Sequence, residues 1–471
     1  MGIVKKLNLV RPRKSRVKFS RFYGIDNIYD GSVGGYNKAK YTYNFSYKDG
    51  ALKNSIGLKS LYEKFTYGEK YHVSAMYFYS RNDYESGKKD DRLVVCVDNG
   101  NLYECSASGG VFQLIEGLSF QKTPTATCYN YNGKDVLLLS SEEDGLIIYD
   151  GKDWQKVSDA PSITSMCIHS ERLFITSGGV DGALWFSDDF DPTNWNVSLT
   201  EAGFIDLGED RGEMLCVVPF GGHVYVFTSF GVSKITAYGD QTEFSVSHLL
   251  VSCGKILKNT IMLCGDCITF LASDGLYRFD GYNVVRVSDP WFSLVDTSPE
   301  WVKGCYYNGY AYYLLRFIVD GVHQSGILKI KPNGDDSEII FVGVVSDIAV
   351  LKMDEDYKLL AYERMYGMIC EFGEDYGFLD EPVKMEWISK ESDFGVSAKK
   401  KMLSKVSFNA NLPVKLTVTA DGNERLFSLN PQNGACVVYP NIVGNTFSFK
   451  IVVQGVKAEI SGLELEFSYY V

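Results

Sequence analysis

No apolar run in the sequence approaches the ~20 residues that a membrane-spanning helix needs. The best, Ile339 to Val345, is cut off by Ser346 and Asp347. Proline is scarce, at 12 residues, and histidine scarcer, at five. The histidines (His72, His169, His223, His248 and His323) stand far apart, HExxH is missing, and core or turn roles are favoured over metal binding. The opening MGIVKKLNLVRPRKSRVKF lacks the apolar stretch and small-residue cleavage site of a secretory signal, so folding in the cytoplasm is expected. Walker A, GxSxG and GxGxxG motifs are also missing between a strand and a helix. No linear motif for phosphate binding or nucleophilic catalysis is therefore available.

What is present points to strands. Glycine reaches 45 of 471 residues and Tyr plus Phe reach 60, a composition suited to many short strands joined by tight turns. Apolar residues make up 45% and charged residues 23%, enough to bury a large core and exclude global disorder. Eleven cysteines, an odd number sitting mostly in strand-like runs, read as reduced, buried thiols rather than a disulfide framework.

Charge is uneven. The net value is -12, yet residues 1–25 carry Lys5, Lys6, Arg11, Arg13, Lys14, Arg16, Lys18 and Arg21 without an acid. An acidic body thus bears a basic arm, which is either a solubilising tail or an arm that docks on an acidic neighbour or on nucleic acid. These eight residues are the candidate interaction site.

A short pattern recurs through the middle of the chain: a strand-like run, a turn ending in glycine, and a second alternating strand. Its glycines are Gly100, Gly145, Gly182, Gly231, Gly275, Gly326 and Gly367, spaced 37 to 51 residues apart. Upstream turns at Asn132-Gly133, Gly221-Gly222, Gly265-Asp266 and Asn308-Gly309 mark a further strand in most units, and a weaker fourth strand follows. Four antiparallel strands per ~40 to 45 residues is the unit of a β-propeller, so the expected fold is all-β with seven blades. The expected domains are a basic arm (1–25), strands and loops that close the propeller (26–71), the propeller (72–393), and a small sandwich-like β-domain (394–471).

Two local patterns admit a chemical reading. Cys264-Gly-Asp-Cys267 is a lone CxxC explained by a hairpin turn, since zinc would want a second pair. Asp189, Asp191 and Thr193 could offer oxygens to calcium, but a structural turn with Trp195 packed between blades is favoured.

Three segments carry a resemblance. Phe22 to Leu58, Arg172 to Trp195 (RLFITSGGVDGALWFSDDFDPTNW), and Val453 to Val471 resemble, in that order along the chain, segments of virion structural proteins of tailed bacteriophages. The resemblance implies a tail or neck component, with propeller-bearing tail nozzles as the nearest architectural analogue. It further implies a virion location after assembly in the host cytoplasm and partnership with other tail or neck subunits. A homo-oligomeric ring, hexameric by analogy, would pass genomic DNA during ejection through sequence-independent proximity. The expectation is no enzymatic activity and no cofactor. The alternative is a glycan-binding or glycan-cleaving propeller acting in host-surface recognition, betrayed by exposed Trp and Tyr on one face.

Overall fold

The computed structural model describes residues 13–28, 35–62, 71–83, 87–177, 183–208, 211–249, 253–287, 291–298, 301–319, 321–353, 356–374, 376–395 and 400–469. Among them the regular structure is strand, with three short 3-10 turns and no α-helix. The chain forms two compact units, one drawn from Met1–Gly57, Asp335–Phe341 and Gly373–Val471, the other from Leu58–Gly334 and Val342–Phe372. These cuts differ from sequence divisions at 71/72 and 393/394, because strands from both ends of the chain share one core.

The larger unit is a β-propeller-like succession of antiparallel sheets. The first contains Val73–Tyr79, Arg92–Val97, Asn101–Ser106 and Gln113–Ser119, and the second Thr125–Tyr131, Lys134–Ser141, Gly145–Tyr149 and Trp154–Val157. Sheets with first strands Ser165–His169, Met214–Phe220, Met262–Leu263, Lys303–Tyr307 and Val345–Met353 follow in chain order, the fourth of these also holding the short upstream strand Val295–Asp296 on the far half of Tyr310–Val319. The last sheet takes its outer strand from far upstream, Gly57–Ser60, which lies beside Met368–Gly373. The first strand of each sheet touches the first strand of the next, and Val345–Met353 returns to touch Val73–Tyr79.

Turn chemistry explains the hairpins. Asn132-Gly133 and Asn308-Gly309 take positive φ at both residues, which matches the twist of the strands they join. Gly326 behaves differently from the repeat reading: it sits inside the strand Val322–Ile330 opposite Leu315, and the chain reverses at Gly321 (φ +77°) instead. The nine-residue register Ala311–Val319 against Val322–Ile330 outweighs the local glycine signal. Gly182 lies outside the described residues.

Apolar residues at alternate positions of neighbouring sheets interlock. Val136, Leu138 and Ile148 of the second sheet pack with Leu173 and Ile175 of the third and with Trp195 of the loop between its last two strands.

The smaller unit places two sheets across a single core. One sheet runs Phe45–Lys48, Ala51–Asn54, Glu459–Tyr469, Lys401–Ala410 and Ala435–Val438, with Arg13–Lys18 also on Glu459–Tyr469. The other runs Tyr23–Ile25, Lys38–Tyr43, Val383–Ser389, Phe447–Gly455, Val414–Ala420 and Asn423–Leu429. Leu403, Val406, Leu465 and Phe467 from the first meet Trp387, Leu416, Phe449 and Ile451 from the second.

Buried charge in this unit is paired. Glu386 meets Lys450 at 2.6 Å and Lys384 at 3.1 Å, and the Tyr43 hydroxyl donates to it at 3.2 Å. Burial pulls its carboxyl upward, but the two lysines outweigh burial and hold it below the ordinary glutamate value. A depressed carboxylate contributes stability in full above the unfolded value of ~4.3, and loses it as pH falls through the lower folded value. Glu386→Gln is therefore expected to reduce stability at neutral pH and flatten the acid limb of a denaturant-midpoint profile. An acid limb as steep as the parent's would assign the acid sensitivity elsewhere.

Candidate functional site

The first strands of the larger unit converge on a cavity of about 530 Å³. Its polar wall follows from the strand pattern, because a first strand packs on its neighbours and still presents some side chains inward. Ser74, Thr125, Ser165 and Lys303 come from four different first strands, while Lys258 and Asn259 come from the 3-10 turn before a fifth.

Three lysines line this space against one carboxylate, Glu142, although the chain as a whole is acidic. Lys122 is neutralised at the rim by Glu143 at 2.8 Å and Glu142 at 3.7 Å. Lys303 is held from behind by Asp347, which is 1% exposed. Burial raises the Asp347 carboxyl above its ordinary value, with Lys303 opposing that shift, and the second carboxylate oxygen has no hydrogen-bond partner. The hydroxyls are largely spent within the fold: Ser140 donates to the Gly145 carbonyl at 2.9 Å and Ser74 to that of Cys96 at 3.1 Å. Ser165 donates to the Cys216 sulfur at 3.5 Å. Burial raises the Cys216 thiol, so it favours the neutral form. The volume suits a small molecule.

The basic arm is visible from Arg13 onward. Arg13, Lys14, Arg16 and Lys18 lie on the strand Arg13–Lys18, which pairs antiparallel with Glu464–Tyr469 of the same chain. Arg16 meets Glu466 at 2.9 Å and Lys18 meets Glu464 at 3.9 Å. Arg21 follows, its side chain against Gly50, where an added Cβ would stand 2.9 Å from the arginine Cγ. Lys5, Lys6 and Arg11 lie outside the described residues.

The two local motifs form turns. Cys264 N–H donates to the Cys267 carbonyl at 2.7 Å across Gly265-Asp266. Asp191 accepts from the Thr193 amide at 2.9 Å and hydroxyl at 2.6 Å, and the Trp195 indole donates to the Pro192 carbonyl at 3.1 Å. Asp191 and Thr193 are thus engaged within the loop, while Asp189 lies 3.8 Å from the Arg172 guanidinium. Among the described residues no three His, Cys, Asp or Glu side chains gather as a metal site.

Sequence reasoning did not single out Lys258, Lys303 or the Lys303–Asp347 pair. The signal was a lone charge inside an apolar strand, as in WVKGCYY and VVSDIAV. Their pairing depends on which first strands become neighbours.

No family model and no curated protein sequence matches the chain. Among solved structures, the computationally designed Ika8 protein is similar at 12% identity and a TM-score of 0.39, covering 68% of this chain and 99% of its own. BBS1N, solved in complex with ARL6DN, is similar at 10% identity and a TM-score of 0.43, with the same coverage of both chains.

Proposed function

We propose that the chain is a non-enzymatic structural subunit of a phage-like virion tail or neck, forming a nozzle-like ring through which DNA passes. The carrying observation is the circuit of first strands, closed when Val345–Met353 touches Val73–Tyr79 and completed by the outer strand Gly57–Ser60. We read the sheets as seven blades of a closed propeller. Such a block leaves few strand edges open, so it can be arrayed without polymerising edge to edge. The resemblance of three segments to tailed-phage virion proteins supports a place for that block in a virion.

A 530 Å³ cavity accommodates a small molecule and not a duplex, so the lumen of the proposed ring lies between subunits. An acidic outer surface facing that lumen repels phosphates and lets the genome slide.

Particle imaging with mass spectrometry of purified virions tests this reading. The expected result is the chain in a tail or neck ring, six copies by analogy. Its absence from virions would overturn the role. The arm has its own test, the combined change of Arg13, Arg16 and Lys18 to Glu. It sets like charges against Glu464 and Glu466 and should abolish incorporation. Exposed pairs of this kind contribute about 0–1 kcal/mol each, so the stability of the isolated chain should fall only slightly. Unchanged incorporation would reduce the arm to a solubilising strand.

A further inference from the structure

The larger unit exposes an apolar surface that its core does not use. Residues 187–202 join the last two strands of the third sheet, Ala183–Phe186 and Gly203–Asp206. The loop is fastened at several points: Trp195 is buried, the Asp188 amide donates to the Asn194 carbonyl at 3.0 Å, and the buried Arg172 donates to the Glu201 carbonyl at 2.9 Å. Yet it leaves Phe190 65%, Val197 44% and Leu199 82% exposed. Phe190 stands at φ +57°, a conformation that a bulky residue adopts at a cost and keeps only where its surroundings fix it. Residues 187–207 hold five carboxylates and no lysine or arginine. Phe190 also walls a groove of about 610 Å³ whose charged lining residues are Asp135 and Glu171.

The smaller unit offers the complementary surface. On the sheet that holds Arg13–Lys18, the face turned away from the core carries two rows of paired residues. Lys14, Ser468, Met402 and Val443 form one, and Lys18, Glu464, Ser407 and Val437 the other. Arg16 stands beside Glu466, which Lys405 approaches at 4.0 Å. The strand side of this face is therefore mainly basic, with Arg16 and Lys18 largely exposed despite their ion pairs, and the far side ends in exposed Val437 and Val443. The whole units differ in the same sense. The smaller carries 22 basic and 18 acidic residues, the larger 25 and 41.

We propose that the basic and apolar sheet face of one copy docks on the acidic and apolar loop 187–202 of a second copy. Charge complementarity selects this occupant, because each patch joins apolar surface to one sign of charge and the chain itself supplies the opposite patch. A nucleic acid would meet the basic face but leave the apolar loop uncovered, since carboxylates repel phosphates. Two different patches make the contact head-to-tail, the kind that repeats around a ring. The inference deepens the ring reading, on which it rests for the closing of that series.

Sedimentation equilibrium of the full chain tests it. The chain should associate reversibly at low ionic strength, and raising the salt from about 0.05 M to about 0.5 M should weaken association by about tenfold or more. Phe190→Asn joined to Leu199→Ser, and separately Arg16→Glu joined to Lys18→Glu, should each weaken it to a similar extent. Asparagine tolerates the left-handed backbone and both loop side chains are exposed, so the melting temperature of the loop variant should stay near the parent's. Each variant keeps one intact patch, so an equimolar mixture of the two should regain a single contact and stop at the dimer. The proposal is overturned if the parent is monomeric at both salt concentrations, if either variant associates as the parent does, or if the mixture does not pair. Absence of the chain from virions alongside salt-sensitive pairing would end the tail role alone, whereas a virion ring that accepts the loop variant would end this contact alone.

Discussion

Replacing Trp387 with alanine is expected to destabilise the smaller unit by about 3–5 kcal/mol, the range for deleting a large buried aromatic side chain. Trp387 is 0% exposed and lies where both ends of the chain meet. Its ring stands edge-on to Phe22 at 5.1 Å and to Phe19 at 6.3 Å, and its strand pairs with Lys38–Tyr43 on one side and Phe447–Gly455 on the other. Removing the indole therefore opens a cavity between N-terminal and C-terminal strands that are held together by packing and strand pairing. Phenylalanine at the same position should cost much less. The indole N–H has no hydrogen-bond partner, and its loss removes an unsatisfied buried donor while a ring remains in place. Denaturant unfolding of both variants, followed by a probe in this unit, measures the difference. An alanine variant within about 1 kcal/mol of the parent would show that the core collapses around the gap.

The same residues show what could be read in the sequence. Turns were legible wherever two residues with positive φ are required, as at Asn132-Gly133, because few residue types tolerate that conformation. The repeat was legible for a related reason, since each unit carries its own hairpins. Gly326 shows the limit of that signal, for strand register across nine residue pairs decides where a hairpin reverses. The arm shows another. Its eight basic residues run up to Phe19 and Phe22, which are 1% and 2% exposed in the core that holds Trp387. Charge averaged over a segment hides two aromatic anchors three residues apart.

The candidate sites were less legible than the fold. Lys303 and Asp347 are 44 residues apart, so no short motif contains the pair. It arises because consecutive sheets bring their first strands side by side, at a sequence separation set by blade length. A charge interrupting an apolar strand was the available clue.

The buried pair Asp26–Lys390 supplies the other large expected effect. Asp26 is 1% and Lys390 3% exposed, and the ammonium stands 2.8 Å from Asp26 Oδ2. Lys38 approaches the same oxygen at 3.5 Å but is partly exposed, and the Ile28 amide donates to the other oxygen at 3.3 Å. The partners are thus not equivalent. Asp26→Ala strips Lys390 of its carboxylate inside the fold and should cost about 3–5 kcal/mol, since an uncompensated buried charge is the costly product of breaking such a pair. Lys390→Met leaves Asp26 with Lys38 and a backbone donor, so it should cost clearly less. Joining Asp26→Ala to Lys390→Met removes both charges and should recover most of the loss, because two desolvated ions are replaced by apolar side chains. Unfolding free energies of the three variants give the coupling directly. Additive costs would mean that water reaches the ammonium once Asp26 is gone, and the pair would then be a surface-like contact despite its burial.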